Sequence, residues 1–181
     1  MNLFTGSVIA AVRTDDEFEK TLNSKVEAVF DLSPDLMTIS KKVKKAHDVG
    51  KKFFVHMDLA TGIGKDKSGI LFVKNAGIDG VISTRVNIIK AARECGVFTV
   101  QRFFIVDSQS VATTVESVKA SKADMIEIMP GVLTKAIGKL RKLVNVPIIA
   151  GGLIETIDEI EDVVKSGATA VSTGKKELWG E

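Results

Sequence analysis

The residues best suited to chemistry lie near the end of the chain. Ala150-Gly151-Gly152 closes one β-branched run, and Ser172-Thr173-Gly174-Lys175 closes the next. Without side chains at Gly151 and Gly152, backbone N–H groups can approach an anion closely. Ser172 and Thr173 add hydroxyls, and Gly174 adds another accessible N–H ahead of a short helix start. Each motif alone also fits a tight turn or a helix cap. Their pairing points to a cradle for a phosphate group.

A second set of polar residues lies within or just after runs that read as strands: Arg13, Asp31, His56, Asp58, Arg85, Gln101, Arg102 and Glu127. A purely structural strand would carry Val or Ile there, and a buried unpaired charge is costly. These groups must therefore face a polar mouth or neutralise one another. Asp31, His56, Asp58, Arg102 and Glu127 are the candidates for hydrogen bonds to a small polyol. Arg102 and Glu127 fit an internal ion pair equally well. His56 and Asp58, two apart, share a strand face, as an acid/base pair or as an oriented imidazole. Two histidines and a single cysteine, Cys95, make no metal constellation, so neither a metal nor a cofactor is expected. His47, late in a Lys-rich helical segment, is explained by solvation and the helix dipole.

The stretch from Thr61 to Gly69 has the look of a nucleotide-binding loop but fails its pattern. Lys67 stands where the second glycine belongs, and Asp66 follows Lys65. It reads as a loop over a binding mouth with a glycine hinge, where Asp66 and Ser68 hydrogen-bond a polyol or cap the next helix.

The elements that must position these groups recur every 20 to 25 residues. β-Branched or aromatic runs occupy residues 7–12, 28–32, 53–58, 80–83, 99–104, 125–128, 147–150 and 170–173. Segments with apolar residues at helical spacing separate them, as at Leu36, Ile39 and Val43 or Ile157, Ile160 and Val164. Start signals stand at Asp15, Ser33-Pro34, Asp107-Ser108 and Thr156, and stop signals at Gly50, Gly77, Gly96 and Gly167. Eight strand–helix units predict an α/β protein, a compact (β/α)8 TIM barrel forming one domain over residues 1–181. The first strand runs into Arg13-Thr14-Asp15-Asp16, without the glycine fingerprint of a dinucleotide fold. At 181 residues the chain is shorter than the roughly 250 typical of such barrels, so loops must be brief. The last helix, residues 176–179, is barely a turn. In this barrel the phosphate motifs end strands seven and eight, the usual place for a phosphate site.

A net charge of +2 and a pI near 8.6 do not mark a nucleic-acid binder. Charge placement is more informative. Lys41, Lys42, Lys44 and Lys45 crowd one helix, while Lys135, Lys139 and Lys142 follow i, i+4, i+7 spacing on another, with Arg141 adjacent. Most such faces are simply solvated, and no known RNA- or DNA-binding signature accompanies them. No apolar run approaches ~18 residues, and no basic-then-apolar leader opens the chain, so a cytoplasmic protein without a membrane partner is expected.

Several blocks together carry a family resemblance: Asp58-Leu59 with Gly62, Asp66 and Gly69; Asp79-Gly80-Val81-Ile82-Ser83-Thr84; Gln101-Arg102-Phe103-Phe104 with Asp107-Ser108; Ile126-Glu127-Ile128-Met129-Pro130-Gly131; Ala150-Gly151-Gly152-Leu153-Ile154; and Ser172-Thr173 with Leu178-Trp179. In this order and spacing the chain resembles the glycerol-3-phosphate-responsive antiterminator family over nearly its whole length. The resemblance implies a bacterial regulator of the glycerol uptake operon that binds glycerol-3-phosphate and acts on leader mRNA, without catalysis. Gly151, Gly152, Ser172 and Thr173 would take the phosphate, and Asp58, Arg102 and Glu127 the glycerol. The chain departs from the expected pattern at Gly174-Lys175-Lys176, where another hydroxyl residue would stand. Lys135, Lys139, Arg141 and Lys142 are the candidate RNA contacts. Two alternatives stay open: a small barrel enzyme acting on a triose or sugar phosphate through His56, Asp58 or Glu127, and a self-associating scaffold built on an apolar patch around Trp179 that would form a homo-oligomer.

Overall fold

A computed structural model describes residues 8–180. Eight parallel strands close into a barrel in sequence order: β1 Val8–Val12, β2 Ala28–Asp31, β3 Lys52–His56, β4 Gly80–Ser83, β5 Phe98–Phe104, β6 Met125–Met129, β7 Ile148–Gly151 and β8 Ala170–Thr173. The ring closes where Ile9 of β1 pairs with Ser172 of β8. Seven helices lie between the strands: α1 Asp15–Thr21, α2 Ile39–Asp48, α3 Lys67–Asn75, α4 Val86–Glu94, α5 Ser108–Ser121, α6 Thr134–Leu143 and α7 Ile157–Lys165. A 3₁₀ turn, Lys176–Leu178, takes the place of an eighth helix. The expected barrel is therefore present. Ser7 of the first predicted run lies outside the described residues.

Strand alternation sorts side chains into two cores. Ile9, Ala28, Phe30, Phe54, Ile82, Val100, Met125 and Ile149 fill the barrel interior. The intervening residues pack outward against the helices. On α2, Ile39, Val43 and Ala46 face the barrel at i, i+4, i+7 while Lys41, Lys44 and the partly exposed Lys45 face solvent. Each fully buried Ile or Phe contributes about 1.5–3 kcal/mol.

Helix starts follow local chemistry. Thr14 with Glu17, Asp107 with Ser110 and Thr156 with Glu159 form reciprocal caps at α1, α5 and α7. The start expected at Ser33-Pro34 shifts to Ile39, with Thr38 as the N-cap. Pro34 and Leu36 instead exchange backbone hydrogen bonds with Thr61, and the Asp35 carboxylate accepts the Met37 N–H. That pairing also pins one end of the loop expected to move. At its other end Asp66 caps α3, accepting the Gly69 N–H at 2.9 Å, so capping is the use the structure makes of Asp66. Strand β3 ends earlier than predicted, at His56, because Met57–Leu59 turns into a 3₁₀ helix. At the opposite end of the barrel Asp79 accepts from His47 Nε2, Lys52 Nζ and the Phe53 N–H. His47 therefore has a specific carboxylate partner as well as solvent.

Candidate functional site

At the C-terminal ends of the strands a pocket of about 420 Å³ opens between β1, β5, β6, β7 and β8. Arg13, Arg102, Glu127, Gly152, Ser172, Thr173 and Gly174 supply its polar lining, and Leu32, Phe104, Met129 and Leu153 its apolar walls. Arg13 was legible as a strand-end cation but its partnership with the glycine motifs was not. The signal is the inward alternation Ile9, Ala11 of β1, which Arg13 continues just past the strand's end where β1 closes against β8.

The floor of the pocket is one buried network. Arg102 Nε donates to Glu127 Oε2 at 2.5 Å, and Ser172 Oγ donates to Glu127 Oε1 at 2.5 Å. Arg102 is 6% exposed and Glu127 not at all. Both carboxylate oxygens are thus occupied, which is what stabilises a charge so deeply placed. Gly151 serves this network: a Cβ there would lie 2.5 Å from Glu127 Oε1 and 2.6 Å from Ser172 Oγ. Its missing side chain makes room for the carboxylate. Gly152 has a different reason. Its φ of +76° is in the left-handed region, and a Cβ would meet Met129 Cε at 2.7 Å.

The hydroxyls expected to donate to an anion have spent their protons. Ser172 donates to Glu127, and Thr173 Oγ1 donates to the Ile154 carbonyl at 2.8 Å while accepting the Lys175 N–H at 3.0 Å. Among the described residues, no acceptor takes the N–H of Gly152 or of Gly174. Arg13 has no carboxylate partner among the described residues for its exposed side chain. Two residues with unpartnered backbone N–H groups and one unpaired guanidinium therefore line the pocket, a combination suited to an oxyanion.

Three of the candidate polyol contacts fall away from this pocket. Asp31 points outward from β2 and meets Lys42 Nζ at 3.4 Å, because strand alternation sends it toward α2. Burial raises the Asp31 carboxyl above its usual range despite that lysine. Asp58 stands on the 3₁₀ turn and accepts from Ser83 Oγ at 2.6 Å and from the Thr84 N–H and hydroxyl at 2.8 Å. Burial opposes its ionisation, yet these donors hold its carboxyl below the usual range. His56 faces inward but is 3% exposed and does not line the pocket. Its Nδ1 has no hydrogen-bond partner, and no bond joins it to Asp58, so the acid/base pair does not form. Desolvation, aided by the Arg102 guanidinium, pushes the imidazole down to about 4. Gln101 also faces outward, donating to Ser117 on α5 at 3.0 Å. Trp179, the centre of the expected self-association patch, is 3% exposed and donates to the Thr173 carbonyl at 2.9 Å. Among the described residues, no group of three or more His, Cys, Asp or Glu side chains could hold a metal ion, and no helix is long and apolar enough to cross a membrane.

The family model for the glycerol-3-phosphate responsive antiterminator matches residues 8–179. The chain belongs to that family. A glycerol uptake operon antiterminator regulatory protein from Listeria monocytogenes str. 4b F2365 is similar at 34% identity, with a TM-score of 0.90 over 96% of this chain and 94% of that one. A glycerol uptake operon antiterminator-related protein from Thermotoga maritima MSB8 also shares 34% identity, at a TM-score of 0.86 over 98% and 99% of the two chains. The protein YgcP of Escherichia coli (strain K12) is 36% identical over 173 residues, covering 95% of this chain and 91% of its own.

The candidate RNA contacts sit on α6, beside the pocket. Lys135, Lys139 and Lys142 are exposed on one face, and among the described residues none has an acidic partner. Arg141 belongs to another face, its aliphatic stem against Gly167, where an added Cβ would meet Cγ at 2.9 Å.

Proposed function

We propose that this antiterminator-family protein senses glycerol-3-phosphate in its barrel mouth and contacts leader mRNA through α6, in the cytoplasm and without catalysis. The observation that carries the ligand reading is the convergence of unpartnered donors. The phosphate accepts from the N–H groups of Gly152 and Gly174 and from the Arg13 guanidinium. The glycerol hydroxyls turn inward to Arg102 and Glu127, whose charges are already matched and which therefore offer hydrogen bonds without net charge. Ser172 and Thr173 border the phosphate and donate to it only where their protons turn away from Glu127 and Ile154.

The transcript contact is supported by the unpaired α6 lysines and by the family's regulatory description. An electrostatic contact of this kind weakens as salt rises, with a slope set by the number of phosphates neutralised. Binding of fluorescent leader RNA should therefore be measured across a salt series for the wild type and a Lys135→Glu/Lys139→Glu variant. The slope should fall by about 1.5–2 in the variant, and glycerol-3-phosphate binding should persist. An unchanged slope contradicts the choice of surface. Turnover of triose or pentose phosphates that disappears in Glu127→Gln would instead establish an enzyme.

A further inference from the structure

Beside the mouth, a second groove of about 620 Å³ runs between the start of α5 and the start of α6. Val106, Val111, Val132 and Leu133 form its apolar wall, and Lys135 and Lys139 stand along it. Val106 is 83% exposed, a high value for a valine in an apolar groove. The acid in the groove, Asp107, is committed to capping α5, accepting the Ser110 N–H at 2.7 Å.

Two features of the lysines point to an anionic occupant. Neither has a carboxylate partner among the described residues. Lys135 also lies in the first turn of α6, which has no acidic residue there and no capping side chain. A cation at a helix N-terminus opposes the helix dipole, so the fold alone does not favour it there. An anion against the lysines would relieve both conditions. An isolated anion, however, has no use for a valine–leucine wall. The groove asks for a molecule with an apolar flat body and successive phosphates along one edge.

We propose that this groove holds one unpaired nucleotide of RNA, its base against Val106 and Leu133 and its flanking phosphates on Lys135 and Lys139. The proposal rests on the RNA reading above and adds which form of RNA is recognised. In a duplex the base faces are stacked and cannot enter, whereas a single strand can splay one base out. Pro130 lines both this groove and the mouth pocket. A metabolite in the mouth and a nucleotide in the groove therefore share one wall.

The test uses the full-length protein with a fluorescein-labelled oligouridine and unlabelled duplex RNA of equal length as competitor. Val106→Glu changes an exposed side chain and leaves the backbone hydrogen bond of residue 106 in place. It should weaken oligouridine binding about tenfold while the calorimetric response to glycerol-3-phosphate stays at the wild-type level. Lys135→Glu/Lys139→Glu should weaken oligouridine and duplex alike. If Val106→Glu binds oligouridine as the wild type does, or duplex competes equally well, while the lysine variant still loses affinity, the groove is overturned and the α6 face stands. If the lysine variant loses nothing, or the wild type binds no RNA, both readings fall. A change in sedimentation with unaltered RNA binding in Val106→Glu would assign the groove to a second copy of the chain and overturn the proposal.

Discussion

Helices α2 and α6 each carry a cluster of basic residues that the sequence presents alike, and the fold uses them in opposite ways. On α2, three of the four lysines are paired: Lys42 is buried and bonded to Asp15 at 2.9 Å and Asp31 at 3.4 Å, Lys44 pairs with Asp48 at 2.7 Å, and Lys45 pairs with Glu19, which leaves Lys41 alone without a carboxylate partner among the described residues. On α6, Lys135, Lys139 and Lys142 have no such partners among the described residues. Charge density along a helix therefore does not identify a binding face. Whether the fold has already consumed the charge does.

That contrast is open to direct attack. Lys42→Met leaves Asp31 buried without its cation and should cost about 3 kcal/mol in urea unfolding, with much of the loss recovered in Lys42→Met/Asp31→Leu. A loss below the error of the measurement would mean that α2 is as free as α6. His56 bears on the network beneath the mouth. Its imidazole is held at about 4 in the fold, against an ordinary value near 6.5, so the unfolded chain takes up its proton first as pH falls. The unfolded state then binds more protons between those two values, and stability must drop through that window by roughly 3 kcal/mol before levelling off. Melting curves from pH 7 to 4 should show this drop in the wild type and its absence in His56→Asn. The smallest effect is expected on α6. Lys135→Ala and Lys139→Ala should move stability by no more than about 0.5 kcal/mol, since nothing in the fold relies on them.

The barrel was legible because its signals are local and repeated. Each strand announces itself in β-branched residues, and capping residues such as Asp107 and Thr156 mark where helices begin. The site was legible only as a neighbourhood. Asp31 and Gln101 read like mouth residues because sequence gives a strand's location before it gives its inward face, and a shift of one residue reverses that face. Asp58 lies outside the pocket lining for a different reason: its partners Ser83 and Thr84 lie 25 residues or more along the chain, at the end of the adjacent strand. The two motifs proposed to hold phosphate do stand at the ends of β7 and β8, as expected. What sequence could not show is that Gly151 makes room for the Glu127 carboxylate, and that Ser172 and Thr173 have already committed their protons. Arg13 becomes important through ring closure, a contact between the two ends of the chain.

Calorimetric titration with glycerol-3-phosphate, alongside glycerol and inorganic phosphate, addresses the ligand site most directly. The phosphorylated polyol alone should bind saturably, and Gly174→Asp should abolish the heat, since its carboxylate would stand beside the phosphate donors while its Cβ meets only the Ala11 carbonyl, at 3.4 Å. Absence of binding by all three compounds, or undiminished binding by Gly174→Asp, would contradict the assignment of the mouth between β7, β8 and Arg13 as the phosphate site.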